Sequence, residues 1–118
     1  MASLHDRLGG RDGISKIASD AVDLHVNNTR IAPRFSEINK AALKKSVTDF
    51  FVTGTGGPNV YQGKDMRSAH KGMNIDTAEF MAVMDDVLYA MDKNGIDQRE
   101  KEEVLFVLYG MRGDIIRV

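Results

Sequence analysis

The 118-residue sequence has no cysteine, no tryptophan and only two prolines, and its aromatic content is five phenylalanines and three tyrosines. Without cysteine there is no disulfide, no thiolate metal centre and no cysteine nucleophile, an absence compatible with a reducing compartment, so the expected location is the cytoplasm. Charge of neither sign dominates. Lys plus Arg number 16 against 17 Asp plus Glu, a net charge of -1, so no broad field draws the chain to nucleic acid or to an acidic membrane. No apolar run approaches the roughly 20 residues of a membrane span. The opening residues Met1-Ala2-Ser3-Leu4-His5-Asp6-Arg7 carry charge where a secretory leader needs an apolar stretch. The expectation is one soluble domain over residues 1–118, a monomer, whose binding rests on a local site.

Sustained period-2 alternation between hairpin turns is also missing, whereas apolar residues recur at helical spacing almost throughout, which predicts an all-α fold. A short first turn around Leu4 to Leu8 stops at Gly9-Gly10, where positive φ suits a corner. Asp12 is placed to cap a helix with Ile14, Ile17, Ala18, Ala21 and Leu24 on one face, ending near Asn27-Asn28. After a brief segment from Ile31 to Phe35, with Pro33 in a first-turn position, Leu43, Val47, Phe50 and Phe51 give the next stripe, which stops at Gly54. Gly54 to Gly63 is too rich in turn residues for regular structure and reads as a long ordered loop. Asp65 then caps a short helix carrying Met66 and His70. Asp76-Thr77-Ala78-Glu79 has the spacing of a capping box and opens a helix with Phe80, Val83, Met84, Val87, Leu88 and Met91 inward, ended by Asn94-Gly95. Asp97 to Glu100 repeats the capping pattern before a last stripe of Val104, Val107, Leu108 and Met111.

Most familiar site motifs fail on spacing. The glycine loop follows no strand, and Gly63-Lys64 is followed by Asp65 where a phosphate cradle needs Ser or Thr. Asp92 to Asp97 has its glycine two positions too early for a calcium loop. Of the three histidines, none lies in a His-Glu-x-x-His zinc pattern. His5 reads as a solvated terminal residue. His25 is near the end of the second helix and faces either the core or solvent; turned inward, it could donate to a ligand bound in the interior or itself serve as a metal ligand. His70 has Met66 one turn before it on the same helix face, directly after the glycine loop.

In order, Leu8-Gly9-Gly10, Phe35, Phe50-Phe51, Gly56-Gly57, Tyr61-x-Gly63 and Met66-Arg67-x-Ala69-His70 closely resemble group I truncated haemoglobins, the two-over-two helical globins. The resemblance runs nearly without gaps from Leu4 to His70 and is looser afterwards, with a shortened connection before Asp76. It implies haem b, with His70 as the proximal iron ligand, Phe35 stacked on the macrocycle and a diatomic gas as the bound partner. A neutral imidazole is a good axial ligand, and a chain without cysteine has few alternatives. Leu43, Val47, Phe50, Phe51, Met66, Val83 and Val87 can supply the apolar walls. Lys40, Lys44, Lys64, Arg67 and Tyr61 are candidates for meeting the haem propionates.

The departure from the family lies on the distal side, where a tyrosine on the second helix and glutamines on the third are usual and this chain has Val22, Leu43 and Val47. Val22, Leu43, Val47 and Phe35 should then line an apolar ligand pocket, with Ser46 at its rim about 100° from Val47. Bound O₂ gains from a hydrogen-bond donor, so its absence favours release faster by roughly ten-fold or more, with CO less affected. The family's covalent bond between haem and a last-helix histidine cannot form, because no histidine follows His70. The resemblance implies O₂ binding or transport, nitric oxide dioxygenation, gas sensing or a peroxidase-like side activity. Nitric oxide dioxygenation would need a separate reductase, since no flavin or nicotinamide motif is present. The rival reading is a haem-free helical interaction module with His70 structural and the methionines and phenylalanines as core.

Overall fold

The computed structural model describes residues 2–118, and among them there is no strand. Six α-helices follow one another as α1 (Leu4–Arg7), α2 (Gly10–Asn27), α3 (Lys40–Gly54), α4 (Met66–His70), α5 (Thr77–Lys93) and α6 (Gln98–Tyr109). Two 3-10 turns, Ala32–Phe35 and Arg112–Asp114, complete the secondary structure. The predicted boundaries at Asn27, Gly54 and Asn94 hold to within a residue, and Asp65 caps α4 as expected. In space α2 lies against both α3 and α5, α5 carries α6, and α1 bridges α2 and α6. The pairs α2–α3 and α5–α6 form the two layers, joined where Ile14, Ile17 and Ala21 of α2 meet Val87, Ala90 and Met91 of α5 in the core. Ala18, Ala21 and Ala90 are almost completely buried, and small side chains at such positions let helix axes approach closely.

Capping follows the sequence in part. Asn39 and Asp65 accept hydrogen bonds from the Ala42 and Ser68 amides, and Asp76 with Glu79 closes a reciprocal capping box at α5. Two expectations are corrected. Asp12 lies inside the first turn of α2, because Gly9 and Gly10 adopt positive φ and start the helix three residues earlier. Asp97 occupies the N-cap of α6 without a side-chain cap bond, and Glu100 binds Arg7 of α1 instead. Glu103 grips the same guanidinium, so the residues read as a local cap fasten the first helix to the last.

His5 is likewise not a solvated terminal residue. Its side chain is 14% exposed, its amide donates to Thr55 O at 2.9 Å, and its ring rests on Gly57. A Cβ at Gly57 would overlap that ring and lie 2.8 Å from Val52 O, so this position of the long loop admits only glycine. The loop, residues 55–65, is held to α3 by Thr53, whose hydroxyl oxygen accepts from the Val60 and Tyr61 amides at 3.0 Å each. Gly57→Ala should therefore destabilise the fold by about 1 to 3 kcal/mol, the usual cost of overpacking. Urea unfolding would show this as a lower midpoint at unchanged slope, and an unshifted midpoint would exclude a tight seat for His5.

Candidate functional site

Between α2, α3, α4, α5 and α6 the side chains line a cavity of about 380 Å³. That is within the usual range for small-molecule and cofactor sites. Ten of the residues expected at the site line it: Phe35, Leu43, Val47, Phe50, Phe51, Tyr61, Met66, His70, Val83 and Val87. They come from the Ala32–Phe35 turn, from α3, from the glycine loop, from α4 and from α5, so elements far apart in sequence supply one wall each. Phe50 stands edge-on to Tyr61 at 5.3 Å between centroids and tilted to Phe51 at 6.0 Å, an aromatic corner where α3 meets the loop.

His70 is the chemically distinctive member of the lining. Its Nδ1 donates to Met66 O at 2.7 Å, the carbonyl one turn back on α4. A carbonyl can only accept, so Nδ1 carries the proton and the neutral ring keeps the Nε2 lone pair for another partner. A histidine with its second nitrogen tied to a backbone carbonyl is the usual arrangement of a metal-ligating imidazole.

Three expected site residues lie elsewhere. Val22 is fully buried but does not line the cavity; its neighbours on α2, Ala21 and His25, do. Lys44 is drawn back to Asp23 at 2.9 Å, and Lys40 binds the same carboxylate at 2.8 Å, which both cations hold below the usual carboxylate range. Arg67 is exposed and faces Asp114 at 3.7 Å. Tyr61 donates its hydroxyl to Lys64 O at 2.7 Å, while Ser46 reaches the rim as expected.

Other lining residues escaped the sequence reading. Ile31, Ile38, Met73, Ile75 and Ile115 extend the apolar wall from short connections and the C-terminal segment, where helical periodicity has no power. Arg34 and Glu79 stand at the edge as an ion pair, with Nη2 3.0 Å from Oε1 and Nε on the other oxygen, and Nη1 of Arg34 donates to Met73 O at 2.9 Å. Glu79 thus caps α5 and holds the Ala32–Phe35 turn at the same time. The only available sequence signal was the capping-box spacing, and it points to one of these two roles.

The model of the bacterial-like globin family matches residues 3–117, and the chain belongs to that family. The group 1 truncated hemoglobin of Tetrahymena pyriformis is 26% identical over 114 residues, covering 97% of this chain and 94% of that protein. The group 1 truncated hemoglobin GlbN of a Nostoc species is 24% identical over 116 residues, 98% of each chain. The crystal structure of the Tetrahymena pyriformis protein in its Fe(III) form superposes with a TM-score of 0.95 at 26% identity, covering 99% of this chain and 100% of that one. The similarity therefore continues well past His70, through the region where the sequence resemblance was looser. Globins of this kind are haem b proteins that bind gases, and the residues here fit the cofactor: an apolar cleft, a ring to stack on it, and an imidazole with its outer nitrogen tethered.

Acid should weaken this edge of the cavity. The Arg34 guanidinium holds the Glu79 carboxyl below its usual range, with the Asp76 amide assisting. A lowered folded-state value means that the pair's contribution is complete above the unfolded carboxylate value of about 4.3 and is lost as pH falls through the lower folded one. Unfolding free energy measured between pH 6 and 3 should fall in that lower window, and less steeply in Glu79→Gln. Identical slopes for the two proteins would remove this pair as the source.

Proposed function

We propose that this chain reversibly binds diatomic gases at haem b held through Nε2 of His70, opposite an apolar ligand pocket that grips O₂ weakly. The observation that carries the reading is the Nδ1 bond from His70 to Met66 O, which leaves one imidazole nitrogen free in a residue lining a cofactor-sized apolar cavity. The bound cofactor would supply the iron that takes up the gas. Around it, Phe35 offers a flat face, Phe50, Phe51 and Val87 exclude water, and Tyr61 with Ser46 marks the polar rim.

The distal character rests on Leu43 and Val47. Both line the cavity from α3, and neither can donate a hydrogen bond. Val22 belongs to this set by family position and sits one layer behind the wall. A missing donor forfeits about 1 to 2 kcal/mol of O₂ retention, near ten-fold in the release rate, and costs CO much less. This favours handling of CO or NO over long-lived storage of O₂.

Purified protein titrated with haemin should give a Soret band at one equivalent. His70→Gly should lose most of that ligation and regain it with added free imidazole; a wild-type spectrum in His70→Gly would sink the assignment of the ligand. In the loaded protein, Leu43→Gln should slow O₂ release about ten-fold with little change for CO. An unchanged or faster O₂ rate counts against the missing donor.

A further inference from the structure

His25 sits in the wall of the cavity at a place where an aliphatic side chain would be the simple choice, and three polar groups are spent on seating it. The residue is 8% exposed. Its Nδ1 donates to Asp86 Oδ2 of α5 at 2.7 Å, and Asn28, the C-cap of α2, donates from Nδ2 to both Asp86 oxygens at 3.2 and 3.3 Å. Asn28 is itself fixed, since its Oδ1 accepts from the Arg30 amide at 3.1 Å. The imidazole is thereby held through Nδ1, and its centroid lies 5.6 Å from that of the Phe35 ring at an interplanar angle of 19°. This is an offset stack, a geometry that favours one orientation of the partner ring.

We propose that His25, held by Asp86 and Asn28, is the positioning residue for Phe35 and sets the plane in which that ring meets the haem. The proposal rests on the haem reading above. Phe35 ends a four-residue 3-10 turn, a short element with little internal order of its own. The 18-residue α2 and the 17-residue α5 that carry His25 and Asp86 are the long packed helices of the fold. Asp86 lies seven residues after Glu79, two turns further along the same side of α5. Glu79 grips Arg34 directly, while Asp86 acts on Phe35 through the histidine, so two carboxylates on one helix order consecutive residues of the turn. An aliphatic residue at 25 would fill the same space but would present no fixed plane.

The test is a double-mutant cycle on the haem-loaded protein, read as the rate of haem transfer to an acceptor globin. His25→Leu and Asp86→Ala should each speed haem loss about five-fold, and Asp86→Asn, which keeps an acceptor for Nδ1, should stay close to wild type. On a Phe35→Leu background His25→Leu should add almost nothing, because its effect passes through the missing ring. Equal acceleration on both backgrounds would overturn the proposal and mark His25 as a general stabiliser. A change in O₂ release that persists without Phe35 would overturn it in favour of direct contact with the gas. The ring can also be read without the cofactor: in the apoprotein the Phe35 ring protons should show an NMR shift from the stacked imidazole that collapses in Asp86→Ala. Failure of the wild type to take up haem would defeat the functional reading while leaving this second measurement intact, and a Phe35 shift indifferent to Asp86→Ala would defeat the positioning role alone.

Discussion

A small helical protein that lines an apolar cofactor cavity must divide its apolar side chains between a packed core and the walls of the site. The rest of the structure follows from that division. The contact of α2 with α5 at Ala21 and Ala90 belongs to the packed core, where Ile14 and Met91 are almost completely buried, while Ala21, Phe51 and Val87 of that core also face the cavity.

Polar contacts tie the elements together around this core. Arg7 ties α1 to α6 through Glu100 and Glu103. Asp49, buried on α3, is gripped by Arg11 of α2 and by Lys45, both at 2.7 Å, and Arg34 meets Glu79 across the cleft. Such bonds are individually modest, but they are directional in a way that apolar packing is not. They join α1 to α6, α2 to α3 and the Ala32–Phe35 turn to α5. The arrangement also accounts for the shape of the functional site: an apolar interior suited to a flat hydrophobic cofactor, with charge confined to the rim.

How much of this could be read from the sequence depends on whether the information is local. The helices, their glycine ends and the capping box at Asp76 and Glu79 follow from neighbouring residues; His70 and Phe35 stand out because their order and spacing survive as a pattern, and Leu43 and Val47 because they depart from it. What was misplaced depends on partners far along the chain. Lys44 looks like a free cation until Asp23 is seen beside it, and Val22 looks like a pocket residue until the rotation of α2 is known, a matter of 100° per residue. The partnership of His25 with Asp86 spans 61 positions and has no sequence signal at all. Likewise Gly57 reads as one turn residue of an ordered loop, whereas its role is to make room for His5 of the first helix.

Glu79 carries an implication of its own. The same carboxylate accepts from the Asp76 amide at 3.2 Å, completes the cap of α5 and binds the guanidinium that borders the cavity. Its duties to the helix and to the cleft cannot be varied separately: glutamine retains the cap but gives up the charge, and aspartate retains the charge but falls short of the reach. Evolution toward a different cavity mouth would therefore meet an epistatic barrier at Glu79 and would find Arg34, which has no part in the cap, the easier residue to exchange.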